Sequence, residues 1–559
     1  MTSLGQLWVS GSRFVARNAW ACVSLVCIVL VCGFTSCQDK VVNINQDLTL
    51  DVYADLASDS LALKSRRIRM QIRQMYRNDN DSMSIDRRIK NYYDRGGALV
   101  WIDRHGVDPQ ADTLLACLDS IEGMGMTKKK FRVEEIREDL RRMRELDFDT
   151  ANTINRVAGR LEYNLTKGYL RYAVGQRFGF MNPSWVYNKL DTLQKSPHDS
   201  TPQTNVHYRG LFDLPVERAY KDYYKVALQK VAHDSVGAYL RELDIKSPLY
   251  YKLKRRYAEC TSESERIKIL CNMERCRWRM SDYPQRHKKY VVVNVPSLML
   301  HAVDGDNVLS MLVACGSNKT KTPLLVSEVE RMDVNPKWIM PRSIIERSVV
   351  NHVGDVGWFE RNNYFVKDKK TNKVVPTSSV TKAMLLSGNY AVMQESGENN
   401  SLGRIIFRFE NNFSVFLHST SSPGQSFSRA DREVSHGCVR VEKPYALAEF
   451  MLEDKDPDLL EKIRYSMSAD LSPLHKAKKK KDNPKNDADT DDSGDDGEEE
   501  PADTLQRDKL VYAIPLKPKV PLFIVYFTIY PDPSTGRLAD YRDVYNYDKV
   551  IWDYLKNYR

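Results

Sequence analysis

The sequence predicts an α+β protein in which a helical domain precedes a mostly β domain, and three observations predict it. From about Asp51 to Trp278, apolar residues recur three and four apart among charged ones. After Pro284 the texture turns to short β-branched and aromatic runs, and near the C-terminus Val520 to Tyr530 is again dense strand sequence. The 559 residues leave room for about three or four folded units at roughly 100 to 200 residues each. With 42% hydrophobic and 28% charged residues, buried cores are affordable and global disorder is excluded. A mean hydropathy of −0.51 with one long apolar run excludes a polytopic membrane protein.

That run lies at the N-terminus. Arg13 and Arg17 precede the apolar stretch from Ala19 to Phe34, the positive-then-hydrophobic order of a secretory signal, and the stretch is short against the roughly 20 residues of a membrane span. It ends in Phe34-Thr35-Ser36-Cys37, which resembles the lipobox of bacterial lipoproteins with Phe34 in place of the usual Leu. The expectation is residues 1–37 as signal and lipidation segment, with Cys37 lipidated, followed by a linker at 38–54. An uncleaved N-terminal anchor is the alternative. In both cases the bulk of the chain is expected to be exported to a periplasm and held at a membrane.

The helical domain is expected over 55–284. Phe131-Arg-Val-Glu-Glu-Ile-Arg-Glu-Asp-Leu and the spacing of Leu161, Leu165 and Tyr169 mark amphipathic faces packing on one another. Ser262-Glu-Ser-Glu265 reads as a capping box opening a helix through Ile267, Leu270 and Trp278. No internal repeat of fixed period is visible. Cys22, Cys27 and Cys32 fall in the leader, and the six body cysteines are too scattered for a disulfide scaffold. Cys271 and Cys276 lack a nearby histidine pair, so no metal site is expected there. Cys117, Cys260, Cys271, Cys276 and Cys315 are expected as buried apolar residues.

The β domain is expected over 285–474, with strands at Tyr290 to Val295, Leu298 to Ala302, Ser310 to Ala314, Arg404 to Phe409 and Phe413 to Leu417. Asn411-Asn412 reads as a tight hairpin turn that puts His418 at the end of its outgoing strand. Residues 475–508 are a lysine run and an acidic tract, expected as a disordered insertion, and 509–559 bring the chain back into the sheet. The net charge is +10, although residues 482–500 alone hold ten acids and one Lys. The basic remainder favours a polyanionic partner: nucleic acid, acidic lipid or a carboxylate-rich cell wall. No zinc-finger spacing, RNP-like string or recognition-helix signature is present, so no nucleic-acid partner is expected.

Chemistry gathers at Val415-Phe-Leu-His418-Ser419-Thr420 and Ser435-His436-Gly437-Cys438-Val439-Arg440-Val441. One imidazole and one thiol are presented from two strand or loop ends. A cysteine attacks acyl carbon as the thiolate, which needs a lowered pKa or an adjacent base, and an imidazole supplies both. Gly437 lets backbone approach a reacting carbonyl, so that neighbouring amides serve as oxyanion donors. His436 as a structural hydrogen-bonded histidine and Arg440 as a structural ion pair remain open alternatives.

The segment resembles the signature of the L,D-transpeptidase catalytic domain: His, a spacer of this length, then Ser-His-Gly-Cys, Val and Arg. Asn400-Ser-Leu-Gly403, Thr322-Pro323, Asn335-Pro336-Lys337-Trp338 with Pro341, and Arg440-Val-Glu-Lys-Pro444 are similar to strings of that family. Leu99-Val-Trp101-Ile-Asp103 and Arg266 through Trp278 are similar to the helical scaffold of its larger, Gram-negative, YcbB-like branch. The likeness covers roughly 55 to 545. It departs from the family in lacking an inserted peptidoglycan-binding repeat and in carrying Met393-Gln394 where Arg-Gln is commoner.

The resemblance implies a helical scaffold joined to a mixed-β catalytic domain with a lid at about 345–399. In that segment Trp358, Tyr364 and Tyr390 read as core more readily than as lid surface. It implies Cys438 as nucleophile, His418 as base, the Ser419 carbonyl orienting that ring, and His436 with the amides of Gly437 and Cys438 at the oxyanion. Arg440 would steady the loop or bind a substrate carboxylate. The implied reaction releases D-Ala from peptidoglycan stem peptides, donor and acceptor both, through a thioester, with no metal or organic cofactor and with carbapenems as inhibitors. A hydrolase of the same fold, either an L,D-carboxypeptidase or a cross-link cleaver, and a non-catalytic wall-binding lipoprotein are the alternatives.

Overall fold

A computed structural model of the chain describes residues 47–49, 61–103, 106–193, 206–220, 222–471 and 505–559. The expected leader with Cys22, Cys27, Cys32 and Cys37, most of the linker and most of the charged tract lie outside the described residues. The chain divides into two compact units, one of residues up to 119, 128–171 and 224–239, the other of 120–127, 172–223 and 240–559. Pro284 falls inside the second unit.

The first unit is helical. It contains α1 (Ser65–Asn78), α2 (Ser84–Asp94), α3 (Gln110–Asp119), α4 (Val133–Glu145) and α5 (Ile154–Phe178) through Arg171. The spacing seen in the sequence is the spacing that is buried: Ile68 and Ile72 in α1, Leu114 and Leu118 in α3, and Ile136, Leu140 and Met143 in α4 are all almost fully enclosed. Along α5, Leu161, Leu165 and Tyr169 are at 0% exposure, but so is Lys167, and Arg171 is at 1%. These two cations are buried because carboxylates meet them. Lys167 contacts Asp79 and lies 2.7 Å from Asp81, and Arg171 lies 2.8 Å from both Asp81 and Asp86. A charge taken out of water is tolerated only with such partners and their hydrogen bonds. Glu162, on the same helix, accepts hydrogen bonds from the Val100 and Trp101 amides at 2.8 and 2.9 Å and from the Tyr93 hydroxyl at 2.8 Å. Burial nevertheless pushes its carboxyl up to about 7.

In the second unit, α6 (Pro248–Glu259) and α7 (Glu263–Arg277) pack side by side. Ser262 is the N-cap of α7, but its hydroxyl makes no capping bond, and Glu265 turns outward to Arg256 at 2.8 Å. The capping box expected there does not form, because the arginine of the preceding helix outcompetes the cap for the carboxylate.

A ten-stranded mixed sheet forms the body of this unit. In chain order its strands are β1 (Phe212–Asp213), β2 (Lys289–Asn294), β3 (Met299–Asp304), β4 (Asn307–Gly316), β5 (Leu324–Val334), β6 (Ile405–Phe409), β7 (Leu417–His418), β8 (Glu433–Ser435), β9 (Val439–Val441) and β10 (Ala513–Val525). The order β6-β7-β9-β4-β3-β2-β10-β5 is closed into a ring by pairing of β6 with β5, while β1 joins β5 and β8 joins β4 at its ends. Two of the ring's pairings, β10 with β2 and β7 with β9, are parallel. Val291, Val292 and Val293 are buried without alternation, as expected where both faces of a strand are covered. The strand after the tract, β10, lies between β2 and β5, so the C-terminal part of the chain is structural material of the sheet.

One expected strand is a loop. Pairing of Ile406 with His418 and Phe407 with Leu417 leaves a connection far longer than a two-residue turn. Asn411 organises it, its Oδ1 accepting from the Phe413 and Val415 amides at 3.0 and 3.2 Å, and Ser414 takes φ 54°.

Between β5 and β6, residues 338–394 make a four-stranded sheet of Trp338–Ile339, Tyr364–Asp368, Val374–Val375 and Tyr390–Gln394 with short helices, including α8 (Arg342–Arg347). It has a core of its own around Val349, Phe359, Val366 and Val392, against which Trp358, Tyr364 and Tyr390 pack. The three aromatics therefore hold this segment together. Gln394 accepts from the Ser401 amide at 2.9 Å and donates to the Asn362 and Asn399 carbonyls at 3.0 Å each, tying the segment to the Asn400 string.

Candidate active site

The parallel pairing of β7 with β9 sets Leu417 opposite Val439 and His418 opposite Arg440. Side chains alternate along a strand, so His418 and Arg440 share one face of the sheet, and Cys438, immediately before β9, feels the same Arg440 charge as His418 does. Thiol and imidazole are thus both set about Arg440 from residues 20 apart in sequence.

The turn that carries the thiol is held by a short set of hydrogen bonds. The Ser435 hydroxyl donates to the Cys438 carbonyl at 2.5 Å and accepts from the Gly437 amide at 3.1 Å. Thr320 donates to the Ser435 carbonyl and Thr322 to the Gly437 carbonyl, each at 2.9 Å. Gly437 sits at φ 118°, a conformation other residues rarely adopt, so glycine is required there by its backbone. The Gly437 amide, expected as an oxyanion donor, donates to the Ser435 hydroxyl here. The Cys438 amide has no hydrogen-bond partner among the described residues.

His418 is 4% exposed. Its Nδ1 lies 3.3 Å from the Leu402 carbonyl, which places the ring proton on Nδ1 and leaves Nε2 as the basic face. The backbone carbonyls of Ser419 and Leu402 both favour the protonated ring, although the geometric hydrogen bond is to Leu402 and not to Ser419. The Ser419 side chain does something else. Its hydroxyl oxygen accepts from the amides of Arg404 at 2.6 Å and Ile405 at 3.0 Å, locking the Asn400-to-Arg404 turn against β7. Gly403, at φ 65°, lies so close to that hydroxyl that a Cβ would collide with it.

Burial, and then the positive charge of Arg440, push the His418 imidazole down to about 4. Burial pushes the Cys438 thiol up, opposed by a backbone hydrogen bond from Phe416 and by the same Arg440 charge. Both shifts favour the uncharged forms, thiol and neutral imidazole, against the expectation that the imidazole lowers the pKa of the thiol. No hydrogen bond joins Sγ to the ring in this structure, a looseness common in unliganded sites.

Arg440 donates from Nη1 to the Ser426 hydroxyl at 3.1 Å, while its buried Nε has no partner among the described residues. Neither is the ion pair that the structural alternative required. His436 is exposed, makes no side-chain hydrogen bond among the described residues, and is lowered by partial burial and by the charges of Arg347, on α8, and Arg440. Sequence reasoning missed Arg347, Thr320 and Ser426, since each reaches the site from a separate segment without a motif. Leu402 and Thr322 stood inside recognised strings but with no role attached.

Residues 288–459 match the family model of the L,D-transpeptidase catalytic domain, which contains every residue of this site from His418 to Arg440. The chain carries an L,D-transpeptidase catalytic domain. Residues 87–256 match the scaffold domain that precedes it. A Haemophilus influenzae protein named "Putative L,D-transpeptidase" is 26% identical over 276 residues, 48% of this chain and 47% of the relative. The chain thus spans about half the length of that relative. Of the other cysteines, Cys260, Cys271 and Cys315 are buried, whereas Cys117 and Cys276 are only partly so. Burial pushes the thiols of Cys276 and Cys315 up to about 12.

Proposed function

We propose that the protein is an exported L,D-transpeptidase that cross-links peptidoglycan through a thioester on Cys438. The observation that carries this reading is the register of β7 and β9, which sets His418 opposite Arg440, two residues from Cys438 and its unengaged amide. Cys438 Sγ attacks the carbonyl of the L-centred third residue of a donor stem as His418 Nε2 takes the thiol proton. The C–N bond to D-Ala breaks, and the same proton passes to the departing amine. A side-chain amine of a second stem then attacks the thioester, gives a proton through His418 to Sγ, and leaves with the acyl group. The Cys438 amide receives the negative charge that develops on the carbonyl oxygen in both steps.

Support also comes from the charge placed around the thiol. Arg440, and Arg347 beyond His436, make the site cationic, which favours a polymer studded with carboxylates and helps an imidazole stay unprotonated. The leader sequence with Cys37 supports export and membrane attachment. Incubating the protein with purified sacculi and sequencing the released muropeptides tests the reaction. Tripeptide joined to tetrapeptide through the third residue of each stem supports transfer, whereas free tripeptide alone would mean that water takes the acyl group.

A further inference from the structure

The Cys438 amide is useful as an oxyanion donor only if it is aimed, and the structure shows what aims it. The peptide unit joining Gly437 to Cys438 is planar and trans, so its C=O and N–H point in opposite directions. Fixing the Gly437 carbonyl therefore fixes the Cys438 N–H. That carbonyl accepts from Thr322 Oγ1 at 2.9 Å, and the same hydroxyl oxygen accepts from the Gly316 amide at 2.8 Å. Thr322 is at 0% exposure, so its hydroxyl has no water to turn to.

Thr322 is itself gripped from the C-terminal part of the chain. The Tyr545 hydroxyl accepts from the Thr322 amide at 3.0 Å and donates to the Gly316 carbonyl at 2.7 Å, bridging the end of β4 to the strand that follows it. The Tyr545 ring stacks on Tyr526 with centroids 5.7 Å apart, and its amide donates to the Tyr526 hydroxyl at 2.8 Å. Tyr526 donates in turn to Asp543 at 2.5 Å, and that carboxylate accepts from the amides of Tyr547 and Asp548 at 2.8 Å each. A closed hydrogen-bonded loop of backbone and hydroxyls thus runs from the segment after β10 to the turn of the nucleophile.

We infer that Thr322 and Tyr545 are positioning residues that aim the Cys438 amide at the developing oxyanion. This rests on the reading of Cys438 as nucleophile. It predicts a selective defect. Acylation passes through a charged carbonyl oxygen and needs the aimed amide, whereas alkylation of the same thiol by iodoacetamide displaces iodide with no oxyanion and does not.

The test measures both rates on the full chain by intact-mass spectrometry, with a carbapenem as acylating probe. Acylation forms an S–C bond and breaks the lactam C–N bond, the thiol proton ending on the lactam nitrogen. Thr322→Val should slow acylation roughly 10- to 100-fold and Tyr545→Phe roughly 3- to 10-fold, with alkylation within about twofold of wild type in both. Thr322→Ser, which keeps the hydroxyl, should restore acylation to within about threefold. Equal losses in both rates would mean a general disturbance of the turn and would overturn the inference, as would unchanged acylation. Should Thr322→Val fail to fold, Tyr545→Phe decides by the same comparison. The parent reading fails separately: an acyl adduct persisting in Cys438→Ala would remove the nucleophile itself.

Discussion

An imidazole that titrates at about 4 instead of 6.5 resists protonation by about 3 kcal/mol, and this should be visible in the pH dependence of the reaction. If His418 is the base, kcat/KM of the free enzyme should stay level from pH 7 to about pH 5 and fall with an acid limb near 4. The lowering has two named causes, burial first and the Arg440 charge second, and they are separable. Arg440→Gln keeps the burial and removes the charge. The charge is the smaller of the two causes, so its removal should raise the limb by about one pH unit, or ~1.4 kcal/mol. Arg440→Lys should hold it near the wild-type position. The assay is carbapenem acylation of Cys438 across pH 3.5 to 8. A wild-type limb centred near 6.5, or a limb that Arg440→Gln leaves in place, would refute the electrostatic account. Linkage gives the same group a stability signature. Between about pH 4 and 6.5 the unfolded chain binds this proton and the folded one does not, so the His418 contribution is intact above pH 6.5 and lost as the pH falls through about 4.

Three further outcomes follow from the same physics. Lys167→Met leaves the buried Asp79 carboxylate without its nearest cation, while Asp81 keeps Arg171, and should destabilise the first unit by about 3 to 5 kcal/mol in urea denaturation; a loss under about 1 would mean the network is dispensable. A carbapenem should add one mass to the protein, absent in Cys438→Ala and slower to form in His418→Ala, since burial keeps Cys271, Cys276 and Cys315 protonated. Modification elsewhere would contradict the site. Cys37→Ala should release the protein from the membrane fraction, and protein that stays bound would favour the uncleaved anchor.

Much of the β domain was legible because its strands are β-branched runs whose burial needs no partner to be named. Val291 to Val293 are of this kind. What escaped was set by partners remote in sequence. Lys167 and Arg171 look like an exposed helix face until Asp79, Asp81 and Asp86 are brought against them. The Ser262 capping box is sound local chemistry that Arg256 undoes from the preceding helix. Asn411-Asn412 signalled a turn correctly, but the register of β6 on β7 is fixed by the sheet and not by the turn. At the site, the motif pointed to Cys438 and His418, attached no role to Leu402 or Thr322 and gave no sign of Tyr545, since these three make single backbone or hydroxyl contacts.

The most direct test of the central claim is muropeptide analysis of purified sacculi after incubation with wild-type protein and with Cys438→Ala. The account predicts cross-links through the third stem residue, with free D-Ala released in equal amount, for wild type alone. Cross-links that form in Cys438→Ala, or D-Ala release by wild type with no cross-link, would contradict it.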